Sequence, residues 1–277
     1  MRTALFAWPA GHSLSPPMHN AAFAHLGIRA TYEARGVPPA ELAQALSELR
    51  GGGWLGVNLS IPHKVAALAH LDVLSPAAQA IGAVNTVVVQ HGELHGYNTD
   101  ADGFYAGLSE LGKIPVGRSA LVLGAGGASR AVCYALLTRG VPVHLVNRTA
   151  RTAQELAAEF APLGTITAGD IHDVDIASVG ALINTTAVGM HGGPAPSALP
   201  LPREMLAKMP RSALVSDLVY NPQTTPLITA ARELGLHNTQ NGLAMLLHQG
   251  ALAFTHFTSQ PAPVTVMKSA LYTALGV

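Results

Sequence analysis

The period of hydrophobic and polar positions changes repeatedly along the chain, and each change marks an element. "TALFA" is a short unbroken apolar run and reads as a buried first strand. Residues 16–26 carry a helical pattern that opens on prolines and stops at Gly27. "TYEARGV", β-branched and aromatic, reads as a strand, and "PPAELAQALSELRGG" as a helix bounded by prolines and glycines. In "GVNLSI" the apolar Val57, Leu59 and Ile61 alternate with Asn58 and Ser60, the pattern of a half-buried strand. Pro62 then opens a helix over 62–70. "AVNTVVVQ" is a strand, and "HGE" turns it back into "LHGYN". This alternation predicts a largely parallel open sheet.

A helix from about Asp102 to Leu111 ends at Gly112, and "GKIPVGR" reads as a linker to a second rhythm. "SALVLGAGG" is an apolar strand running into a glycine turn, followed by the helix "ASRAVCYALLTRG", the strand "VPVHLVNR" and a helix over 150–160. "ALINTT" and "SALVSDLVY" are further buried strands, separated by the Gly/Pro-rich loop "VGMHGGPAPSALPLP", and "TPLITAARELG" is another helix. Two apolar helices, about 241–257 and 264–275, close the chain with no strand between them, as expected of helices folding back onto the first domain. The fold class is α/β with two domains. Residues 1–103 plus 241–277 form an open α/β domain, and 104–240 a Rossmann dinucleotide-binding domain.

Composition narrows the function. The chain of 277 residues is 49% hydrophobic and 12% charged, which suits a globular protein with ample core. Lys+Arg and Asp+Glu are equal at 16 each, so no net field favours nucleic acid or an anionic membrane; a small molecule is the expected partner. The single cysteine, Cys133, excludes an internal disulfide framework and fits a reducing cytoplasm. The opening "MRTALFAWPAGHS" is thin for a signal peptide, and no apolar run reaches the roughly 18 residues of a membrane span. Thirteen histidines are scattered without ligand spacing, so no metal site is expected.

The glycine turn is the first chemical signal. "LVLGAGGASRA" sets Gly124, Gly126 and Gly127, with Ala125 and Ala128 among them, between a strand and a helix. Ser129 stands where the dinucleotide fingerprint has its third Gly or Ala. Glycines admit a pyrophosphate to the backbone, and the helix start offers free N–H groups and a positive dipole; the alternative is a tight turn with no ligand. An NAD site usually places an acid about 20 positions on. Here the next strand ends in "VNRTAR", with Asn147, Arg148, Thr149 and Arg151. Arginine attracts a 2′-phosphate, so NADP(H) is favoured over NAD. Cys133, on the helix after the turn, reads as core.

Uncharged polar pairs mark the first domain. Asn58 and Ser60 share a strand face, and Ser13 and Ser15 share one if "GHSLSP" is extended, as Pro16 encourages. Such groups suit a polyhydroxylated ligand. Each has a plainer alternative: Ser15 as a helix N-cap, Asn58 as a strand-end turn residue, Asp100 as the cap of the helix it precedes. Asn85, a lone amide in an apolar strand, needs a partner if buried. Gln249 lies four residues after Met245 on a helix face, as a ligand contact or a solvated residue. Lys64 falls in the first turn of a helix, where a cation faces the positive dipole end at a cost of roughly 0.3–1 kcal/mol. It is either a tolerated surface lysine or a proton donor beside Asp100.

Taken together, "HSLSPPMHN", "GVNLSIPHK", "GAVNT", "YNTDADG", "GAGGASRA", "NRT", "INTTAVGM", "SDLVYNP" and "NGLAMLLHQ" resemble the shikimate dehydrogenase family nearly end to end, in its order and approximate spacing. The resemblance implies NADPH-dependent, reversible reduction of 3-dehydroshikimate to shikimate in aromatic amino-acid biosynthesis, by a cytoplasmic monomer or homodimer. It implies Lys64 and Asp100 as the catalytic pair, and Ser13 and Ser15 on the substrate carboxylate. Asn58, Ser60, Asn85, Asp100, Tyr220 and Gln249 would surround the ring hydroxyls. Residues 124–128 would hold the pyrophosphate, Asn147, Arg148 and Thr149 the 2′-phosphate, and Leu218 and Gly242 would lie near the nicotinamide. Ser60 stands where the family usually has threonine and Ala7 where it has glycine. The usual second clamp arginine is Thr152 here, with Arg151 one position earlier, which shifts NADP preference mainly onto Arg148. The alternatives are a quinate/shikimate dehydrogenase using NAD and a non-catalytic ligand-sensing module on the same scaffold. Paired serines and the missing acid weigh against the first, and the presence of both Lys64 and Asp100 against the second.

Overall fold

A computed structural model of the protein describes residues 1–11 and 13–276. The chain divides into two compact units, Met1–Gly103 with Leu246–Val277, and Phe104–Met245.

In the first unit the chain runs β1 (Arg2–Ala7), α1 (Ser15–His25), β2 (Thr31–Gly36), α2 (Leu42–Glu48), β3 (Trp54–Leu59) and α3 (His63–Ala66). It continues through β4 (Val73–Leu74), α4 (Pro76–Ile81), β5 (Thr86–Gln90) and β6 (Glu93–Tyr97) to α5 (Asp100–Leu111), which leads into the second unit. The strands form one sheet in the order β2-β1-β3-β5-β6-β4. Val57 and Leu59 turn to one face of β3 and pack with Phe6, Leu46, Trp54, Val87 and Leu94 into a dry core. The alternating Asn58 is thereby directed to the other face.

The expectation of a largely parallel sheet needs correcting. β1 pairs in parallel with β2 and β3, and β4 with β6, but β5 is antiparallel to both β3 and β6. The β5–β6 pairing follows from the two-residue turn His91-Gly92, with φ of 52° and 84°. Such a hairpin obliges its strands to run antiparallel. The β3–β5 pairing follows from where β5 inserts beside β3. The helix expected over 62–70 is also shorter. The Lys64 carbonyl accepts the Val84 N–H at 2.8 Å, which takes it out of the helical ladder. α3 is therefore one turn, continued by a 3-10 turn over Ala67–His70. α4 went unread in the sequence although its signals are present: the Ser75 side chain accepts from Ala78 N, Pro76 opens the first turn, and Gly82 closes it in the left-handed region.

The second unit runs β7 (Ser119–Leu123), α6 (Gly127–Leu137), β8 (Val143–Val146), α7 (Ala150–Phe160), β9 (Ile166–Ala168) and β10 (Val179–Asn184). It goes on through α8 (Arg203–Ala207), β11 (Leu214–Asp217), α9 (Pro226–Glu233) and β12 (Thr239–Gln240). All its strand pairs are parallel, in the order β12-β11-β10-β7-β8-β9. This is the doubly wound arrangement, whose strand order reverses between β7 and β10. Leu121, Leu123, Leu182 and Val215 pack with Met205, Leu206, Leu227 and Ala231 into its core. α10 (Leu243–Thr258) carries the chain back to the first unit, where α11 (Val264–Ala274) packs against α1. Among the described residues no helix is long and apolar enough to cross a membrane.

Candidate active site

The polar face of β3 opens a continuous hydrogen-bonded network. Asn58, 6% exposed, donates from Nδ2 to the Asn85 carbonyl at 3.1 Å and to Thr86 Oγ1 at 2.9 Å. Thr86 Oγ1 donates to Asn85 Oδ1 at 3.0 Å, and the same oxygen accepts the Thr99 N–H at 2.8 Å. Asn85 Nδ2 in turn reaches Thr99 Oγ1 at 2.8 Å, Asp100 Oδ1 at 2.9 Å and Gln249 Oε1 at 3.3 Å. Asn85 precedes β5 rather than lying within it, yet its main chain pairs with Tyr97 and Leu59 while its side chain binds Thr99 and Asp100. A fully buried amide is tolerated because its donors and acceptor are engaged.

Asp100 ends the network. It is the first residue of α5 and 3% exposed. It does not cap that helix: Asn98 Oδ1 accepts the Asp100 N–H at 3.0 Å and takes that duty. The carboxylate is left to hold Asn85 with Oδ1 and the Lys64 ammonium with Oδ2, at 2.6 Å. The Lys64 side chain retains 15% exposure. An ammonium has three donors, so two stay available to a ligand after Asp100 takes one. The pair explains why a cation is accepted at this helix start. α3 is a single turn with little macrodipole, and a charge-assisted hydrogen bond outweighs it.

Ser13 and Ser15 are arranged differently from the extended pair expected. Ser15 begins α1, and its N–H donates to Ser13 Oγ at 3.2 Å. The Ser13 hydroxyl thus stabilises the helix start that Pro16 would otherwise leave open, and Ser15 is neither extended nor the cap. Ser15 is buried, and the Tyr32 phenol donates to Asn58 Oδ1 at 2.9 Å. Burial pushes the Tyr32 phenol up. His19 stacks on Tyr32 with ring centroids 4.3 Å apart, and burial holds its imidazole down to about 3, so it is neutral. Ser60 lies just past β3, its N–H on the Phe6 carbonyl at 3.0 Å. Tyr32, Thr86, Asn98 and Thr99 were not singled out in the sequence. For the last three the signal was there in "YNTDADG" and "GAVNT", where runs of small polar residues interrupt apolar strands.

In the second unit the glycine turn joins β7 to α6. Gly124 has φ +108°, and a Cβ there would lie 2.6 Å from Thr185 Oγ1. Ser129 is buried and donates to the Gly124 carbonyl at 2.5 Å. At the position of the third glycine, its hydroxyl ties the helix back onto the turn. Gly126 caps α6 without any side-chain bond, and a Cβ built on it would meet nothing within 4 Å. The turn thus leaves room beside a helix start, whose first N–H groups have no partner within the helix, which fits a pyrophosphate. Burial pushes the Cys133 thiol up to about 12, in keeping with a core residue.

At the end of β8, Asn147 Nδ2 donates to the Thr149 carbonyl at 3.0 Å, shaping the loop that exposes Arg148. Arg151 is turned along α7, with Nε on Glu155 at 2.7 Å, and so is less free than Arg148 for a phosphate. No acid stands at this strand end, so the residues fit a 2′-phosphorylated dinucleotide. Beyond β11, Leu218 N donates to the Asn184 carbonyl at 2.9 Å, and Gly242 N to the Val219 carbonyl at 3.2 Å. Tyr220 follows on the same segment, its phenol pushed up by burial. Beneath them, buried Asp217 accepts from Asn184 Nδ2 at 2.8 Å, Val219 N at 3.0 Å and Thr225 Oγ1 at 2.6 Å.

Comparison with known proteins agrees with this geometry. The profile of the "Shikimate dehydrogenase substrate binding domain" matches residues 5–87, and that of the "Shikimate 5'-dehydrogenase C-terminal domain" matches residues 242–272. The NADP(+) shikimate dehydrogenase of one strain of Thermus thermophilus is 46% identical over all of both chains. That of Symbiobacterium thermophilum is 44% identical over 96% of this chain and 92% of its own. The chain belongs to the shikimate dehydrogenase family. A solved shikimate 5-dehydrogenase from a second Thermus thermophilus strain, in complex with NADP(H) and shikimate, superposes with a TM-score of 0.88 at 43% identity, covering 99% of each chain.

Proposed function

We propose that this protein is an NADP-dependent shikimate dehydrogenase, reversibly reducing 3-dehydroshikimate to shikimate in aromatic amino-acid biosynthesis. The observation that carries the reading is the Lys64–Asp100 pair at 2.6 Å, nearly enclosed and tied through Asn85 to the polar face of β3. NADPH, when bound, supplies a hydride to the ketone carbon. The oxygen then needs a proton, which the Lys64 ammonium gives; the neutral amine recovers one from solvent. Asp100 orients the ammonium and accepts a hydrogen bond from the reacting hydroxyl. In the oxidative direction the same amine takes the proton back.

The network around Asn58, Asn85, Thr86 and Thr99 presents oriented polar groups to ring hydroxyls, with Gln249 at one side. Ser13 and Ser15 offer hydroxyls for the substrate carboxylate, and Ser60 offers one to the ring hydroxyls. In the second unit the turn from Gly124 to Ala128 holds the pyrophosphate, Arg148 with Asn147 and Thr149 binds the 2′-phosphate, and Leu218 and Gly242 serve the nicotinamide end, while Tyr220 serves the ring hydroxyls. A cytoplasmic enzyme fits the lone buried cysteine.

Purified protein assayed with shikimate and quinate, each with NADP and NAD, tests the reading. Fastest turnover is expected with shikimate and NADP. Preference for quinate, or for NAD, would reject the substrate or the cofactor assignment separately.

A further inference from the structure

Tyr32 sits on β2 and has no direct role assigned to it, yet its phenol holds a residue that does: its hydroxyl donates to Asn58 Oδ1 at 2.9 Å. Asn58 is on β3, so the phenol ties together two strands that are not neighbours in the sheet. The ring itself is immobilised. Asn20 brackets its main chain, donating from Nδ2 to the Tyr32 carbonyl at 2.9 Å and accepting the Tyr32 N–H at 2.8 Å. His19 covers one ring face, nearly parallel at 7°. Tyr32 is 3% exposed, and a buried phenol so constrained is costly to leave unpaired.

Asn58 has spent both its Nδ2 hydrogens on the Asn85 carbonyl and Thr86 Oγ1. Toward a ligand it therefore has only the second lone pair of Oδ1 left, the first being taken by Tyr32. The direction of that lone pair depends on where the phenol holds Oδ1. Building on the activity proposed above, we infer that Tyr32 is a positioning residue that fixes the direction of Asn58 Oδ1 and so tunes recognition of the cyclic polyol acid without touching it. Lys64 and Asp100 lie at the other end of the network, beyond Thr86 and Asn85. Loss of the phenol should weaken substrate binding and spare the chemical step.

The test is Tyr32→Phe, which keeps the ring stack and removes one oxygen. The shikimate KM should rise about five-fold, as expected for a lost buried hydrogen bond. The NADP KM and kcat should stay within about two-fold, since neither the cofactor cradle nor the proton donor is altered. In an Asn58→Ala background the further rise from Tyr32→Phe should fall below half its parental value, because residues acting through one another are not additive. A purely structural role would lower the melting temperature without moving the shikimate KM. An unmoved KM, or equal rises in both backgrounds, overturns the inference. Should Tyr32→Phe not accumulate folded, Asn20→Ala, which keeps the phenol and releases its backbone, is read by the same criteria. A parent enzyme inert toward shikimate overturns the proposed activity and this inference with it; an active parent with an unmoved variant overturns the inference alone.

Discussion

Single side chains here are defined by what they are bonded to. Lys64 keeps two donors free because Asp100 takes one at 2.6 Å and buried Asn85 holds the other carboxylate oxygen. Lys64→Ala should lower kcat by about two orders of magnitude or more with the shikimate KM little changed, since a positioned proton donor contributes at least that; a variant with near-parental kcat would reject the role. Two buried titratable groups give the folded state opposite responses to acid. His19 is held down to about 3 from 6.5. The folded chain binds that proton more weakly, so the stability present above pH 6.5 drains as pH falls toward 3. Asp217 is raised from 3.8 to about 6 by burial. Its contribution is complete below 3.8 and is lost as pH climbs through 6. On going from about pH 7 to about pH 5, His19→Phe should therefore lose less denaturant stability than the parent, and Asp217→Asn more. Stability differences that do not change with pH would contradict both assignments.

At the scale of elements, loops and short turns carry the chemistry while strands set its direction. The alternation in β3 sends Val57 and Leu59 into the core and Asn58 to the polar side. The β7–α6 turn depends on one backbone angle. Gly124→Ala would strain a φ of +108° and press a methyl group against Thr185 Oγ1 at 2.6 Å. We expect a lower melting temperature and an NADP KM raised about ten-fold or more, with the shikimate KM close to parental. A shikimate KM that rose as much as that for NADP would argue against a turn dedicated to the dinucleotide. Ser129 shows how a departure from the fingerprint can serve it, since its hydroxyl bonds the Gly124 carbonyl where a glycine would merely permit close approach.

For the molecule as a whole, the division into two units predicts that each ligand leaves its own footprint. Hydrogen exchange should show shikimate protecting main-chain amides around residues 13–15, 58–64 and 85–100. NADP should protect those around 124–131 and 147–151. Protection by shikimate alone centred on the second pair of segments would undo the assignment of substrate to the first unit. The measurement probes local opening, and so reads each unit separately.

Much of this was legible along the chain because it rests on local rules. Strand and helix periods, proline starts, glycine stops and the glycine turn are set by neighbours within a few residues, and they placed most elements, the doubly wound second unit and the Lys64, Asp100, Asn85 and Gly124 candidates. What escaped depends on which hydrogen-bond partner each group finds, near or far along the chain. The mixed first sheet follows from where β5 inserts beside β3. The one-turn α3 follows from the Val84 N–H capturing the Lys64 carbonyl. Helical Ser15 follows from the Ser13 hydroxyl, and the release of Asp100 from capping follows from Asn98. The sequence by itself determined which residues could do the chemistry, because residue type and spacing fix charge, donors and facing. Only the tertiary structure decided which of them meet and which bonds each has left to offer, because hydrogen bonds are counted in space and not along the chain.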